Sequence, residues 1–149
     1  MTREQLSTEC NIISKVSEKL LKQVPTKNPI DIAKYLGVTI RYIDSKTVGF
    51  IVKGEYFKDT TIYINKNLDN YSKRIICAHE LGHLFSDRVG ENEASLFDSS
   101  IDSESEFFAN YMVKCLMPNV FIFAAQNRYE SIHAFNDYVQ SCIHFKEVE

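Results

Sequence analysis

The sequence lacks the features that mark exported, membrane-spanning or disulfide-linked proteins. Its longest uninterrupted apolar run covers only residues 120–125, whereas a membrane-spanning helix needs about 20 apolar residues. The amino terminus interleaves charged and apolar residues and contains no hydrophobic signal segment. The four cysteines are scattered and form no C-x-x-C pair, so we expect reduced, mostly buried thiols. These absences predict a cytoplasmic protein.

Net charge is also small, but it is unevenly distributed. The 149 residues carry 17 Lys+Arg and 20 Asp+Glu, a net charge of −3. Residues 1–76 have a net charge of +5 and residues 77–149 a net charge of −8, and segment 87–106 alone holds seven carboxylates and one arginine. The basic half raises the question of nucleic-acid binding, and the acidic segment suits a basic partner. At 44% hydrophobic residues the chain can bury a core, and its length predicts one domain over residues 1–149.

Hydrophobic spacing predicts helices at both ends of the chain and a short sheet between them. Helical spacing, β-branched alternation and one polar, acidic loop divide the chain into segments. The predicted helices are 3–24, 30–36, 71–86, 104–117, 119–127 and 131–145; the predicted strands are 38–43, 48–53 and 60–65; the loop is 91–103. This order predicts an α+β fold with a small, mostly antiparallel sheet of about three strands.

A metal-binding motif lies inside the predicted helix 71–86. It is an H-E-x-x-H segment with His79, Glu80 and His83. Residues four apart project from one helix face, so the two histidines can direct their imidazoles at a single metal ion. Glu80 projects beside them, in the position of the general base that this motif supplies. The alternative is an ordinary helix with two partly exposed histidines and a solvated glutamate, because so short a motif also occurs by chance.

A catalytic zinc site usually has three protein ligands, so a third ligand must come from elsewhere in the chain. No histidine follows His83 at short spacing, which favours a carboxylate from the predicted helix 104–117. Glu106 is the preferred ligand because Asn110, one turn later, could orient a ligand through a hydrogen bond. Glu104 is the competing ligand. Glu106 could also be a surface residue near a helix start, where the helix dipole favours a negative charge.

The motif lies in a longer pattern that spans most of residues 31–118 and resembles the ImmA/IrrE family of intracellular metallopeptidases. The segments that carry this resemblance, in the family's order, are 31–38, 61–65, 78–83 and 106–118. The stretch before Pro118 is one residue shorter than in the family pattern. Aligning from that proline would therefore place Ser105 at the position of the third ligand. Residues 119–149 are expected to form a helical C-terminal extension.

The resemblance implies a metalloendopeptidase of the gluzincin-like type. It implies that His79, His83 and Glu106 bind Zn²⁺, although Mn²⁺ or another divalent ion also suits this ligand set, and that Glu80 is the catalytic residue. It further implies that the substrate is a helix-turn-helix transcriptional repressor. Cleavage of that repressor would be an antirepressor function in phage, mobile-element or stress regulation.

Substrate binding and transition-state stabilisation require further residues. The strand over residues 61–65 is expected to bind the substrate in extended form by edge pairing. Tyr111, His133 and His144 are candidates for stabilising the oxyanion by side-chain type alone.

Two rival interpretations remain at this stage. Ala33, Gly37 and Thr39 imitate the spacing of a helix-turn-helix core and lie in the basic half of the chain. Residues 38–43 alternate as a strand does, however, so we predict no direct nucleic-acid binding. The second rival is a protein that binds metal and a repressor without cleaving it, which would carry the same ligands and Glu80.

Overall fold

Five α-helices and three β-strands make up the part of the chain that the computed structural model describes, namely residues 2–24, 26–86, 103–124 and 132–147. The helices are α1 (Arg3–Gln23), α2 (Pro29–Leu36), α3 (Asn70–Phe85), α4 (Ser103–Leu116) and α5 (Ile132–Ser141). The strands are β1 (Thr39–Ile43), β2 (Gly49–Val52) and β3 (Thr61–Asn65). The α+β fold class is confirmed. Residues 91–102 of the predicted acidic loop lie outside the described residues.

Local sequence signals explain where the first two helices begin and end. Thr2 and Gln5 form a reciprocal capping box at the start of α1. Asn28 caps α2, and Pro29 occupies its first turn, where the missing N–H is not needed. Gly37 ends α2 in the left-handed conformation (φ 90°), which a glycine adopts without the steric cost of a Cβ.

The sheet has the strand order β1-β3-β2 and mixed pairing. β1 runs parallel to β3, and β2 runs antiparallel to it. The expectation of a mostly antiparallel sheet therefore applies to one of the two strand pairs. The physical reason is the placement of the strands: β1 and β2 are not paired with each other, and the later strand β3 lies between them and pairs with both. Residues 39–43 form a strand, which removes the structural basis for the helix-turn-helix interpretation.

The predicted C-terminal helices are only partly correct. A 3₁₀ helix over Pro118–Ala124 replaces the start of the predicted helix 119–127, and residues 125–131 lie outside the described residues. The prediction of a helix to residue 145 is wrong, because α5 ends at Ser141. Beyond it, Phe145 forms a β-bridge with Leu68, and this pairing holds the segment in an extended conformation.

The cysteines differ in burial. Cys77 is fully buried, whereas Cys10, Cys115 and Cys142 are partly exposed, so the expectation of mostly buried thiols is wrong. All four thiols are free. In the part of the chain that the structure describes, no helix combines the length and apolar character needed to cross a membrane.

Helix α3 is the centre of the core. Ile75, Ile76, Ala78 and Leu81 are all completely buried, because the sheet and α4 both pack against this helix. The exposed residues of this helix, Asn70, Tyr71 and Arg74, all lie in its first half. The histidines and Glu80 of its second half are therefore also removed from bulk water.

Candidate metal centre

The candidate metal centre lies where α3 and α4 approach each other closely. A Cβ atom added to Gly82 would lie 2.6 Å from the Cα atom of Ala109 and 2.7 Å from its carbonyl oxygen. The absence of a side chain at Gly82 therefore lets the two backbones touch. The helices run in opposite directions, so this contact brings the first turn of α4 next to the end of α3.

Two histidines and one carboxylate converge beside this contact. The Nε2 atoms of His79 and His83 are 3.2 Å apart. The Glu106 carboxylate lies 3.1 Å from Nε2 of His79 through Oε2, and 3.0 Å from Nε2 of His83 through Oε1. The side chains of the three residues are only 2%, 8% and 14% exposed, in the same order. The structure thus brings the three predicted ligands together, and it is Glu106 whose carboxylate contacts the imidazoles.

These distances fit a tetrahedral metal site. Metal–ligand bonds of about 2.0–2.1 Å at tetrahedral angles would separate the ligand atoms by about 3.3–3.4 Å. The two Nε2 atoms, 3.2 Å apart, need only a small outward shift to reach that value. The Glu106 carboxylate faces them through two different oxygens, at 3.1 and 3.0 Å, and so lies at the third ligand position. Two imidazole nitrogens and one carboxylate oxygen form a donor set that suits Zn²⁺, and this set also accepts Mn²⁺ or Fe²⁺. His79, Glu80 and His83 also form a group whose potential ligand atoms lie within 4.8 Å of one another.

His79 has a hydrogen-bond partner on its other ring nitrogen. Its Nδ1 lies 2.7 Å from Oδ1 of Asn110, on α4. An amide oxygen only accepts hydrogen bonds, so Nδ1 carries the proton and Nε2 is directed at the cluster. This is the arrangement that a metal-ligating histidine requires.

The electrostatics of the metal-free cluster are those of a buried ion pair. Burial by itself disfavours the charged form of His79, but the adjacent Glu106 carboxylate raises the pKa of His79 to about 9. Burial likewise disfavours a charged Glu106, but the imidazoles of His79 and His83 hold the pKa of Glu106 well below its usual range. Binding of a divalent ion therefore requires proton loss from His79, and metal affinity is expected to decrease as the pH falls.

Glu80 differs from the other acidic residues of the site because its carboxylate is buried without a hydrogen bond. The residue is 0% exposed, and neither carboxylate oxygen has a partner among the described residues. Burial raises the pKa of Glu80, while the charges of His83 and His79 act in the opposite direction. An unpaired buried carboxylate is costly. A water molecule held at a metal centre would supply the missing hydrogen-bond partner. The unpaired Glu80 carboxylate is therefore consistent with a site that binds a metal ion.

The three residues considered for oxyanion stabilisation have their described contacts elsewhere. The ring of Tyr111 packs against Phe107, with the ring centroids 6.1 Å apart. His133 is exposed on α5. The backbone of His144 is hydrogen-bonded to Asp69 and to the Ser72 hydroxyl. None of these contacts directs a side chain at the cluster.

Asn136 on α5 is linked to the site but was not predicted from the sequence. Its Oδ1 accepts a hydrogen bond of 2.9 Å from Nδ2 of Asn110, and its own Nδ2 donates to the carbonyl oxygen of Ser103 at 3.0 Å. No sequence signal marks this residue, because its partners lie 26 and 33 positions away.

Replacement of Gly82 by Ala is expected to weaken metal binding by forcing α4 away from α3. A Cβ at 2.6 Å from a backbone atom requires a helix shift, and overpacking of this kind costs about 1–3 kcal/mol of the free energy of unfolding. The same shift moves Glu106 away from the histidines. Competition with a chromophoric chelator measures the loss of affinity, and thermal unfolding of the metal-free protein measures the loss of stability.

Gly37→Ala is the matched control for this variant. It adds a Cβ that meets nothing within 4 Å but strains a left-handed backbone, so it destabilises the fold without moving α4. Equal metal affinity in Gly82→Ala and Gly37→Ala would contradict the role given to the helix contact.

Comparisons with known proteins agree with this geometry. The chain matches the model of the Peptidase_M78 family, described as the IrrE N-terminal-like domain, over residues 33–140. It is also 28% identical over 74 residues to the "Uncharacterized immunity region protein 2" of Bacillus phage phi105. That similarity covers 48% of this chain and 46% of the phage protein, so the chain matches about half the length of this relative. No solved structure matches the chain significantly. Because the family match covers well over half of its residues, the chain belongs to the Peptidase_M78 family of IrrE N-terminal-like domains.

Proposed function

We propose that this protein is a metal-dependent endopeptidase, with Zn²⁺ as the expected ion. The observation that carries the proposal is the convergence of His79, His83 and Glu106 within 3.0–3.2 Å of one another, beside a fully buried Glu80 whose carboxylate has no described partner. Membership of a peptidase family supports the same activity. An interaction protein that only binds its partner would not need a buried, unpaired carboxylate at this position.

The proposed mechanism assigns one task to each of these side chains. His79, His83 and Glu106 would hold the divalent ion, which when bound acidifies water and polarises a carbonyl group. Glu80 accepts a proton from the attacking water and then donates it to the leaving amine. Burial favours a neutral Glu80 and the histidines favour a charged one, so the carboxyl group is poised to take up and release a proton.

The substrate of the proposed peptidase is a helix-turn-helix repressor, cleaved in an antirepressor function. This part of the proposal rests on the family resemblance and on the phage relative, which is named for an immunity region. The acidic segment 87–106 would favour association with a basic DNA-binding protein. No direct binding of nucleic acid by this chain is proposed.

β1 and β2 are the two edge strands of the sheet, and β2 is the one proposed for substrate binding. The expectation that residues 61–65 offer an edge is wrong. β3 lies in the centre of the sheet and pairs on both sides. Within the described residues β2 pairs with β3 alone, and the end of β2 is close to the site. Lys53, which follows β2, interacts electrostatically with Glu80, and Phe57 contacts Phe85 with ring centroids 5.8 Å apart.

The register of β2 identifies the backbone groups that point outwards. The N–H of Asn65 donates to the carbonyl oxygen of Val48 at 2.9 Å. Because hydrogen-bonded positions alternate along an antiparallel pair, Phe50 and Val52 bond to β3. The N–H and C=O groups of Gly49 and Ile51 therefore point away from β3. Both residues are buried, so an extended substrate would pair with them by displacing the atoms that cover this edge.

If the substrate pairs with the edge of β2, changes to the substrate backbone should have effects on KM that alternate from one residue to the next. Replacement of single amides by esters in a peptide that covers the cleavage site removes one donor at a time. Esters at every second position are expected to raise KM about 2- to 10-fold, which is the value of one hydrogen bond, while esters at the intervening positions leave KM unchanged. A uniform response along the peptide would argue against pairing with β2.

One incubation tests the proposed activity. The protein, the repressor encoded beside it and Zn²⁺ are combined, and intact mass measurement follows the repressor. We expect two fragments whose masses sum to the repressor plus one water, and no fragments when a chelator is added. A stable complex with an intact repressor would instead identify a metal-containing binding protein without peptidase activity.

A further inference from the structure

We propose that Asn136 of α5 positions His79 for metal binding through a chain of hydrogen bonds with a defined direction. The inference rests on the proposed function only in that it takes His79 as a metal ligand. It assigns a role in the metal centre to the C-terminal part of the chain, which the sequence motifs do not reach.

The direction of these hydrogen bonds is set by the backbone carbonyl group of Ser103. The oxygen of Ser103 can only accept, so the group of Asn136 that faces it at 3.0 Å is the Nδ2 donor. Oδ1 of Asn136 then faces Asn110 and can only accept, which requires Nδ2 of Asn110 as its donor at 2.9 Å. Oδ1 of Asn110 is thereby directed at Nδ1 of His79, at 2.7 Å.

The last of these hydrogen bonds, between His79 and Asn110, determines which nitrogen of His79 is available to a metal. An amide oxygen at Nδ1 requires that Nδ1 carries the proton, so the lone pair of a neutral imidazole lies on Nε2, beside His83 and Glu106. If the Asn110 amide were turned over, its NH₂ group would face Nδ1 and favour the tautomer with the proton on Nε2. That tautomer cannot bind a metal through Nε2. Asn136 opposes the turned orientation because it offers Asn110 an acceptor on the correct side.

Asn136 also connects the two helices that carry the ligands. Through Asn110 it reaches His79 of α3, and through Ser103 it holds the first residue of α4, one turn before Glu106. Its own helix is fixed by the neighbouring Phe135, which is buried and stacks on Phe121 with ring centroids 5.3 Å apart. The backbone position of Asn136 is therefore fixed by packing, and its side-chain orientation by its two hydrogen bonds, as a positioning residue requires.

The test measures Zn²⁺ affinity, by competition with a chromophoric chelator, in a double-mutant cycle of Asn110→Ala and Asn136→Ala. We expect Asn136→Ala to weaken binding about tenfold, as removal of the partners of metal ligands generally does. If Asn136 acts mainly through Asn110, the loss in the double variant is smaller than the two single losses combined, and any loss beyond that of Asn110→Ala is the contribution of the Ser103 contact. A purely structural role would give additive losses, and additive losses overturn the inference. Gln140→Ala, which removes an exposed amide from the same helix, is the matched control and should bind like the parent protein.

A second variant isolates the link to Ser103. Asn136→Asp keeps an acceptor for Asn110 but has no donor for the carbonyl oxygen of Ser103. Its affinity is expected to lie between those of the parent protein and Asn136→Ala, and it serves alone if the alanine variant does not fold. If Asn136→Asp binds Zn²⁺ as tightly as the parent protein, the proposal that the Ser103 carbonyl sets the direction of the hydrogen bonds is overturned. Failure of the metal site has a different signature, because the parent protein itself would then not bind one equivalent of Zn²⁺. Failure of the peptidase activity alone would leave all of these Zn²⁺ affinities unchanged.

Discussion

Replacement of Glu80 by Gln is expected to abolish cleavage of the partner repressor while one equivalent of metal stays bound. Gln has nearly the same shape as Glu but cannot accept a proton at neutral pH, so both the uptake of the proton from water and its donation to the leaving amine are lost. Loss of a positioned acid–base group typically lowers the rate by roughly 10²- to 10⁴-fold. The rate of repressor cleavage, followed by intact mass, measures this effect.

The metal content of the Glu80→Gln variant decides between two roles for Glu80. Glu80 belongs to the group of side chains close enough to hold an ion, but the Glu106 carboxylate is the one in contact with both imidazoles. If Glu80 is the base, the variant retains its metal. Loss of the metal would identify Glu80 as a ligand, and undiminished cleavage would exclude it from the chemistry. Glu55→Gln changes an exposed carboxylate and controls for the loss of one charge.

Stability gives an independent readout of the same substitution. A fully buried carboxylate without a described hydrogen bond destabilises the metal-free fold, so removal of its charge is expected to raise the unfolding temperature of the metal-free protein. A variant that is more stable but inactive would show that Glu80 is retained for function at the expense of stability.

Replacement of His79 by Ala is expected to reduce bound metal below one equivalent. The variant removes one of three ligands together with the partner of Asn110, so the remaining His83 and Glu106 cannot complete a tetrahedral site. Elemental analysis after dialysis measures the metal-to-protein ratio. Full occupancy in His79→Ala would mean that the proposed ligand set is wrong.

The choice of the third ligand is tested in the same way with Glu106→Ala and Glu104→Ala. Glu106 contacts both imidazoles, at 3.0 and 3.1 Å, so only Glu106→Ala is expected to lose metal. Removal of Glu106 also leaves the buried His79 without the carboxylate that raises its pKa, and the pKa of His79 should fall from about 9. Retention of metal in Glu106→Ala with loss in Glu104→Ala would reverse the assignment.

Local patterns were sufficient for the elements that contain the site. The helix with His79, Glu80 and His83 was predicted from helical periodicity, and α3 begins and ends within one residue of the predicted 71–86. The convergence of the two histidines follows from their spacing of four, because residues one turn apart share a helix face. The choice of Glu106 over Glu104 followed from its phase with Asn110, which in the structure is hydrogen-bonded to His79.

Patterns that depend on distant partners were predicted poorly. Each strand was located within one residue of its observed ends, but the sheet is mixed, and the strand expected at an edge is its centre. Alternation of apolar and polar side chains predicts that a segment is a strand, but it does not predict which neighbouring strand it pairs with. The helix predicted to residue 145 stops at Ser141 because bridge formation between Phe145 and Leu68 is favoured over further helical turns.

The sequence by itself therefore predicted the class of fold, the helix with the H-E-x-x-H motif and the candidate ligands. The fold class and this helix follow from periodicities of two to four residues, and the choice of Glu106 also drew on the family resemblance. Only the tertiary structure decided how close α3 and α4 come at Gly82, which strand edge is available, and that Asn136 reaches the site. The helix contact and the Asn136 hydrogen bonds join residues 26 or more positions apart in the chain, and the strand pairs join residues 9 to 22 positions apart. Such contacts form when side chains pack in three dimensions, and a local hydrophobic pattern does not predict them.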